Sequence, residues 1–193
     1  MKSVCVFCGS SHGFAPEYEQ MAKEMGRAIA ARGWTLVYGG GNVGLMGVVA
    51  DAALAAGGKV IGVIPEALLA RELGHRGVTE LRVVDTMHER KAMMAELADG
   101  FIALPGGIGT FEEFFEVLTW AQLGIHHKPC GLINTRGYYQ PVMDLLGNAV
   151  KEGFLKAEHQ EMVLTAEGVE EMLARMETHK PPQTMKWIRK SET

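Results

Sequence analysis

The residues best suited to chemistry lie together in the stretch Leu104-Pro105-Gly106-Gly107-Ile108-Gly109-Thr110-Phe111-Glu112-Glu113-Phe114-Phe115-Glu116. Glycines let a backbone approach a ligand closely. The free N–H groups of a first helical turn carry partial positive charge and suit an anion, most often a phosphate. Two carboxylates, Glu112 and Glu113, follow directly. A bound anion would repel them unless they serve another part of the ligand. Thr110 and Glu113 also spell T-x-x-E, the pattern of a helix capping box, so a structural role stands beside the chemical one.

Arg90 and Lys91 form a second candidate pair. They begin a helical pattern, where cations oppose the macrodipole unless an anion compensates them. A phosphate or Glu113 would do so, and the planar fork of Arg90 suits bidentate contact with an oxyanion. Gly39-x-Gly41-x-x-Gly44 fits a dinucleotide fingerprint literally, with Glu66 after the next strand as a ribose-binding acid. A lone G-x-G-x-x-G also describes a tight turn with close helix packing. A shared role is favoured, in which Gly40, Gly41 and Gly44 make room for a mononucleotide held mainly by the second glycine turn. No G-x-x-x-x-G-K-[ST] is present, which excludes a P-loop ATPase. His88-Glu89 lacks the second histidine of H-E-x-x-H, and His126-His127 are adjacent and point apart, so no metal site is expected. Without a G-x-S-x-G elbow, serine-triad hydrolysis is not supported either.

These groups need elements to position them. Gly100 to Leu104 reads as a buried strand, and Phe111, Phe114, Phe115 and Leu118 follow helical spacing. Similar strands are expected at 3–8, 34–38, 59–64, 81–84, 129–133 and, more briefly, 162–164. Helices are expected from Pro16 to about Gly33, at 45–56, 87–98, 138–152 and 166–177, with a short helix and loop over 66–77. Alternating strands and helices make an α/β, Rossmann-like, doubly wound parallel sheet in a single domain over 1–178, followed by an irregular tail at 179–193. Ligands of such sheets bind beyond the carboxyl ends of the strands. The turns Gly9-Ser10-Ser11, Gly39 to Gly44, Pro65-Glu66, Asp85 to Lys91 and Pro105 to Thr110 all follow strands and should converge on one edge.

With 193 residues and a formal charge of −4, the chain has no basic field to attract a nucleic acid polymer. It has no apolar run of the roughly 20 residues that spans a bilayer. Its start lacks the features of a signal peptide, so the cytoplasm is expected. The three cysteines do not form a disulfide framework. Cys5 and Cys8 make a C-x-x-C within a strand and its end, where they face opposite ways, and Cys130 reads as packing.

P-G-G-x-G-T-x-x-E at 105–113 resembles the hallmark of the LONELY GUY proteins, phosphoribohydrolases long mislabelled as lysine decarboxylases. Met87-His88-Glu89-Arg90-Lys91 is similar to the family's M-x-x-R-K. Thr119-Trp120-Ala121-Gln122-Leu123-Gly124 is similar to its T-W-x-Q-L-G, and the turn from Val37 to Gly47 also fits. The similarity covers about 2–164. It implies hydrolysis of the N-glycosidic bond of a nucleoside 5'-monophosphate, such as a cytokinin riboside monophosphate or AMP, without a cofactor. It implies catalytic roles for Arg90 and Glu113. Substrate contacts are implied at Glu72, Arg90, Lys91, Gly106, Gly107, Ile108, Gly109, Thr110, Phe111, Glu112, Glu113 and Thr119, with Ser10, Gly40, Gly41 and Gly44 as additions. A homodimer through the helices at Met87 and Phe111 is expected, since Met93, Met94, Phe114, Phe115 and Trp120 are more apolar surface than one sheet face covers. The alternative is a nucleotide carrier or sensor of the same fold, which would not need a carboxylate at the ribose.

Overall fold

The computed structural model describes residues 1–69 and 74–180. Its strands are β1 Ser3–Phe7, β2 Thr35–Tyr38, β3 Lys59–Pro65, β4 Glu80–Val84, β5 Phe101–Ala103, β6 Cys130–Ile133 and β7 Val163–Ala166. Its helices are α1 Pro16–Ala31, α2 Gly44–Ala55, α3 Glu66–Leu69, α4 Met87–Leu97, α5 Ile108–Gln122, α6 Gln140–Lys151, α7 Ala157–Gln160 and α8 Val169–Glu177, with a 3-10 turn at Thr135–Gly137. The strands form one sheet in the order β4-β3-β2-β1-β5-β6-β7, each parallel to its neighbours. The expected Rossmann-like α/β architecture is borne out. The short α7 and the 3-10 turn lack the periodicity that would mark them in the sequence. The expected tail lies outside the described residues from 181 onward.

Strand alternation divides the interior into two cores. On one face Val4, Val6, Leu36 and Tyr38 pack with α1, α2 and α8. On the other, Cys5, Phe7 and Val37 pack with Met94 of α4 and with Phe114 and Val117 of α5. Pro16 opens α1 at a position where its missing N–H costs nothing, and Met21, Ala22, Met25 and Ile29 form the buried stripe. Glycine at position 26 lets α1 lie against the Val49 carbonyl, so α2 is covered by α1 as well as by the sheet. That explains why α2 is apolar nearly all round.

Two of the residues expected to drive dimerisation are core residues. Met94 and Phe114 are fully buried within the single chain, because α4 and α5 turn those faces to the sheet. Met93, Phe115 and Trp120 are partly buried against the same core.

Candidate active site

The strand order reverses between β1 and β5, and a crevice opens where adjacent connections leave to opposite faces of such a sheet. The turns after these two strands meet there. The Gly9 N–H donates to the Pro105 carbonyl at 3.1 Å, and the Leu45 N–H donates to the Gly9 carbonyl at 3.0 Å. The glycine turn after β2 joins them. Gly44 has φ +57°, and a Cβ there would strike the backbone of Ser10 and Ser11, so both its conformation and its packing require glycine. Gly40, with φ +77°, accepts the His75 N–H through its carbonyl at 2.9 Å, and Gly41 forms an antiparallel bridge with Gly74. Ser10 is exposed in the β1 turn.

α5 begins at Ile108 with Gly107 as its N-cap, so Thr110 sits inside the first turn. It does not cap the helix. Thr110 is 4% exposed and packs against Gly106, where a Cβ would collide with its hydroxyl. A true T-x-x-E cap exists one helix earlier. Thr86 accepts the Glu89 N–H at 3.1 Å, and Glu89 accepts the Asp85 N–H at 3.0 Å, closing the start of α4. The Thr110–Glu113 pattern is therefore not the capping box of α5.

Gly107 and Gly109 differ from the other glycines of the site. A Cβ at either would meet nothing within 4 Å, and Gly107 has an ordinary φ of −92°. Gly109 has no left-handed φ either. Neither packing nor conformation within the chain explains them. Both lie at the start of a helix of 15 residues, whose first N–H groups have no intrahelical acceptor. Ile108 between them is 80% exposed. At the two glycines the surface is bare backbone, as close contact with an anion requires.

Arg90 lies behind this turn, 6% exposed. Its Nη2 donates to the Gly39 carbonyl at 3.2 Å and stands 3.7 Å from Oε1 of Glu113. A Cβ at Gly39 would occupy the place of that Nη2, so glycine here makes room for the guanidinium. Nε of Arg90 is buried without a hydrogen-bond partner among the described residues. The pair joins α4 to α5 across the ends of β1 and β2, and its side chains are 7% and 12% exposed.

Lys91 faces elsewhere. Its ammonium donates to Glu112 and, at 2.9 Å, to Glu116, tying α4 to α5. Burial works against its charge, but its hydrogen bonds to the two carboxylates and their negative charge outweigh it and hold the pKa above the usual lysine value. Thr119 is exposed nine residues beyond Thr110 and donates its hydroxyl to the Phe115 carbonyl at 2.7 Å. Ten residues of helix beyond Gly109 put it roughly 15 Å from the turn. Glu72 lies outside the described residues.

Sequence reasoning missed the braces of the turn. Tyr138 donates its hydroxyl to the Gly106 carbonyl at 2.5 Å, and Tyr139 donates to the Leu104 carbonyl at 2.7 Å. Phe111 packs against both rings. Tyr138 also lines a cavity of about 290 Å³ with Gly9, Ser10, His12, Tyr18 and Gly107. The position of both tyrosines just past β6, at the carboxyl edge of the sheet, was the available signal. His75 is a third such residue. Its Nδ1 accepts the Gly77 N–H at 3.1 Å, which leaves Nε2 to donate to Asp51 at 2.8 Å.

Among the described residues no group of three or more His, Cys, Asp or Glu side chains could hold a metal ion. Cys5, Cys8 and Cys130 are buried and unbridged, and Cys5 and Cys8 belong to opposite cores. Burial pushes the Cys130 thiol up to about 12 and raises the other two as well.

A family model described as "Possible lysine decarboxylase" matches residues 46–176. The chain is 54% identical over 174 residues to a cytokinin riboside 5'-monophosphate phosphoribohydrolase of Rhodococcoides fascians, covering 90% of this chain and 88% of that one. It belongs to the LONELY GUY family. A second member, the cytokinin riboside 5'-monophosphate phosphoribohydrolase LOG of Oryza sativa subsp. japonica, is 48% identical over 93% of this chain and 74% of its own. The molybdenum cofactor carrier protein of Chlamydomonas reinhardtii superposes with a TM-score of 0.69 at 22% identity, over 91% of this chain and 96% of its own. That likeness extends to the fold alone.

The decarboxylase description implies pyridoxal phosphate, and the site of this LONELY GUY protein does not fit that group. A Schiff-base lysine must lose its proton. Lys91, the lysine beside the site, is held protonated by Glu112 and Glu116.

Proposed function

We propose that the protein hydrolyses the N-glycosidic bond of nucleoside 5'-monophosphates, cytokinin riboside 5'-monophosphates and AMP among them, releasing free base and ribose 5-phosphate. The observation that carries this reading is the pair of unexplained glycines, 107 and 109, at the start of α5, with the Arg90–Glu113 pair beside them. The activities named for the relatives from Rhodococcoides and Oryza support it.

In this reading the N–H groups of Gly107, Gly109 and Thr110 hold the phosphate, aided by the dipole of α5. Gly106, Ile108 and Phe111 shape the turn around it, and Ser10, Gly40, Gly41 and Gly44 bound the space for the nucleoside. The bond between C1' and the base nitrogen breaks through an oxocarbenium-like state. Glu113 faces that cation, holding a ribose hydroxyl or orienting the attacking water. The water oxygen bonds to C1', and one of its protons ends on the base. Arg90 orients Glu113 through their 3.7 Å contact and assists the departing base. Lys91 and Glu112 act mainly by docking α4 to α5 and meet substrate at the margin. Glu72 and Thr119 complete the proposed contact set. The scheme uses no metal or organic cofactor.

Incubation with AMP and isopentenyl-AMP, followed by chromatography for free base, tests the reading. Tight binding without base release would instead support a nucleotide carrier of the same fold. We also infer a symmetric homodimer through α4 and α5. Ala92, Ala95, Trp120 and Ile125 line an open apolar depression of about 670 Å³ on that face. Among the described residues no helix is long and apolar enough to cross a membrane. Three free thiols suit the reducing cytoplasm, where we place the protein.

A further inference from the structure

The peptide joining Gly106 to Gly107 lies between two glycines, and such a peptide is the easiest kind in a chain to flip, since neither side has a Cβ to oppose the rotation. Its N–H belongs to Gly107, the N-cap of α5. In a planar trans peptide the carbonyl and the N–H point in opposite directions. Whatever fixes the Gly106 carbonyl therefore fixes the Gly107 N–H. A flipped peptide would turn a carbonyl, with its partial negative charge, to the place that the N–H should occupy.

Among the described residues one side chain holds this carbonyl. Tyr138 donates its hydroxyl to Gly106 O at 2.5 Å, from an element 32 residues away. Its ring is fixed in turn. It meets Tyr18 edge-on at 5.9 Å and Tyr139 edge-on at 5.0 Å between centroids, and Phe111 packs against it at 6.5 Å. The corner that delivers it is costly to build. Arg136 has φ +59°, the one left-handed non-glycine residue among those described, and Gly137 follows with φ +71°. Two consecutive left-handed residues reverse the chain just after β6, and Asn134 Oδ1 then accepts the Tyr139 N–H at 2.7 Å. A strained turn persists where its surroundings over-determine it. Here the strain places two tyrosine hydroxyls on two carbonyls of the glycine turn.

We propose that Tyr138 is a positioning residue: its hydroxyl locks the Gly106–Gly107 peptide in the orientation that presents the Gly107 N–H to a phosphate. This rests on the reading of the turn as a phosphate site. Tyr138 need not touch the reacting atoms. Its contribution is to preorganise the turn, so that binding does not have to select one of two peptide orientations.

The experiment is calorimetric titration of wild type and Tyr138→Phe with ribose 5-phosphate, AMP and adenosine. Loss of the hydroxyl should weaken both phosphorylated ligands about fivefold, the worth of one net hydrogen bond. Adenosine affinity and melting temperature should change little, because the ring packing survives. Tyr138→Leu, which also lacks the hydroxyl, carries the same expectation for the ratio of AMP to adenosine affinity. Tyr139→Phe is the comparison: its hydroxyl holds the Leu104 carbonyl, two peptides before the one at issue, so its loss should lower melting temperature and change that ratio less than Tyr138→Phe does. Unchanged ribose 5-phosphate affinity in folded Tyr138→Phe, or an equal loss for adenosine and AMP, overturns the proposal. Base release from AMP is scored separately. Wild type that binds ribose 5-phosphate selectively but frees no base would sink the hydrolase reading and leave the role of Tyr138 standing.

Discussion

At the scale of single residues, the Arg90–Glu113 pair is the most exacting arrangement in the molecule. Both side chains are largely buried, so each charge needs the other and its hydrogen bonds. Glu113→Gln keeps the shape and removes the charge proposed to face the developing ribosyl cation. It should lower kcat by at least ~10²-fold, the usual size for a preorganised electrostatic group, with melting temperature nearly unchanged and AMP binding retained. Steady-state kinetics and a thermal melt check this, and normal turnover in the folded variant would remove Glu113 from the mechanism. Arg90→Ala should lower kcat as well. It should also destabilise by roughly 1–3 kcal/mol, because the Gly39 carbonyl loses its buried donor. The importance of both residues was legible in the sequence, and the contact between them was not. They are 23 positions apart, and only the β1/β5 switch brings α4 and α5 together.

At the scale of elements, α5 trades stability for access. Glycine inside a helix costs about 0.5–1 kcal/mol relative to alanine, and at position 109 an alanine would meet no neighbour. Gly109→Ala should therefore raise the melting temperature while weakening AMP binding, which calorimetry and a thermal melt would show together. A variant that gains stability and keeps full affinity would mean that no ligand approaches there. The end of the same helix carries a pH-sensitive contact. His126 Nδ1 accepts the Lys128 N–H at 3.1 Å, so Nε2 holds the proton and donates to the Val117 carbonyl at 2.9 Å. Protonation would set two donors against each other. Burial lowers this histidine to about 4, from an ordinary value near 6.5. The unfolded chain thus takes up a proton that the folded chain refuses between those values. Stability should be full above about pH 6.5 and fall as pH drops towards about 4. His126→Gln should flatten the fall in melting temperature across that window.

At the scale of the whole molecule, the 5'-phosphate separates substrates from their nucleosides. If the turn anchors the phosphate as proposed, that anchoring helps to position C1', and adenosine should be much poorer than AMP in kcat/KM. Equal values would deny the turn its role. The proposed dimer also belongs to this scale. Met94 and Phe114 are spent on the core, which leaves Ala92 and Ala95 of α4, Trp120 of α5 and Ile125 just beyond it as the apolar part of that face. Light scattering at micromolar concentration should give about twice the 21.0 kDa of one chain, and a monomer alone would overturn the dimer.

By itself the sequence determined the alternation of strand and helix, the glycine turns at strand ends, and the chemistry of Pro105 to Glu113. These are local: period, turn residues and short motifs are written in neighbouring positions. The family also followed from such motifs. What only the tertiary structure decided depends on long separations. T-x-x-E at Thr110 and T-x-x-E at Thr86 look alike as strings, and the helix start at Ile108 rules out the first as a cap while the Asp85–Glu89 closure selects the second. Lys91 reads as a partner of Arg90, yet α5 turns Glu112 and Glu116 towards it. Met94 reads as surface until the sheet covers it. Tyr138 carries no motif, and its hydroxyl matters only because β6 ends beside the turn that follows β5, a neighbourhood set by strand order.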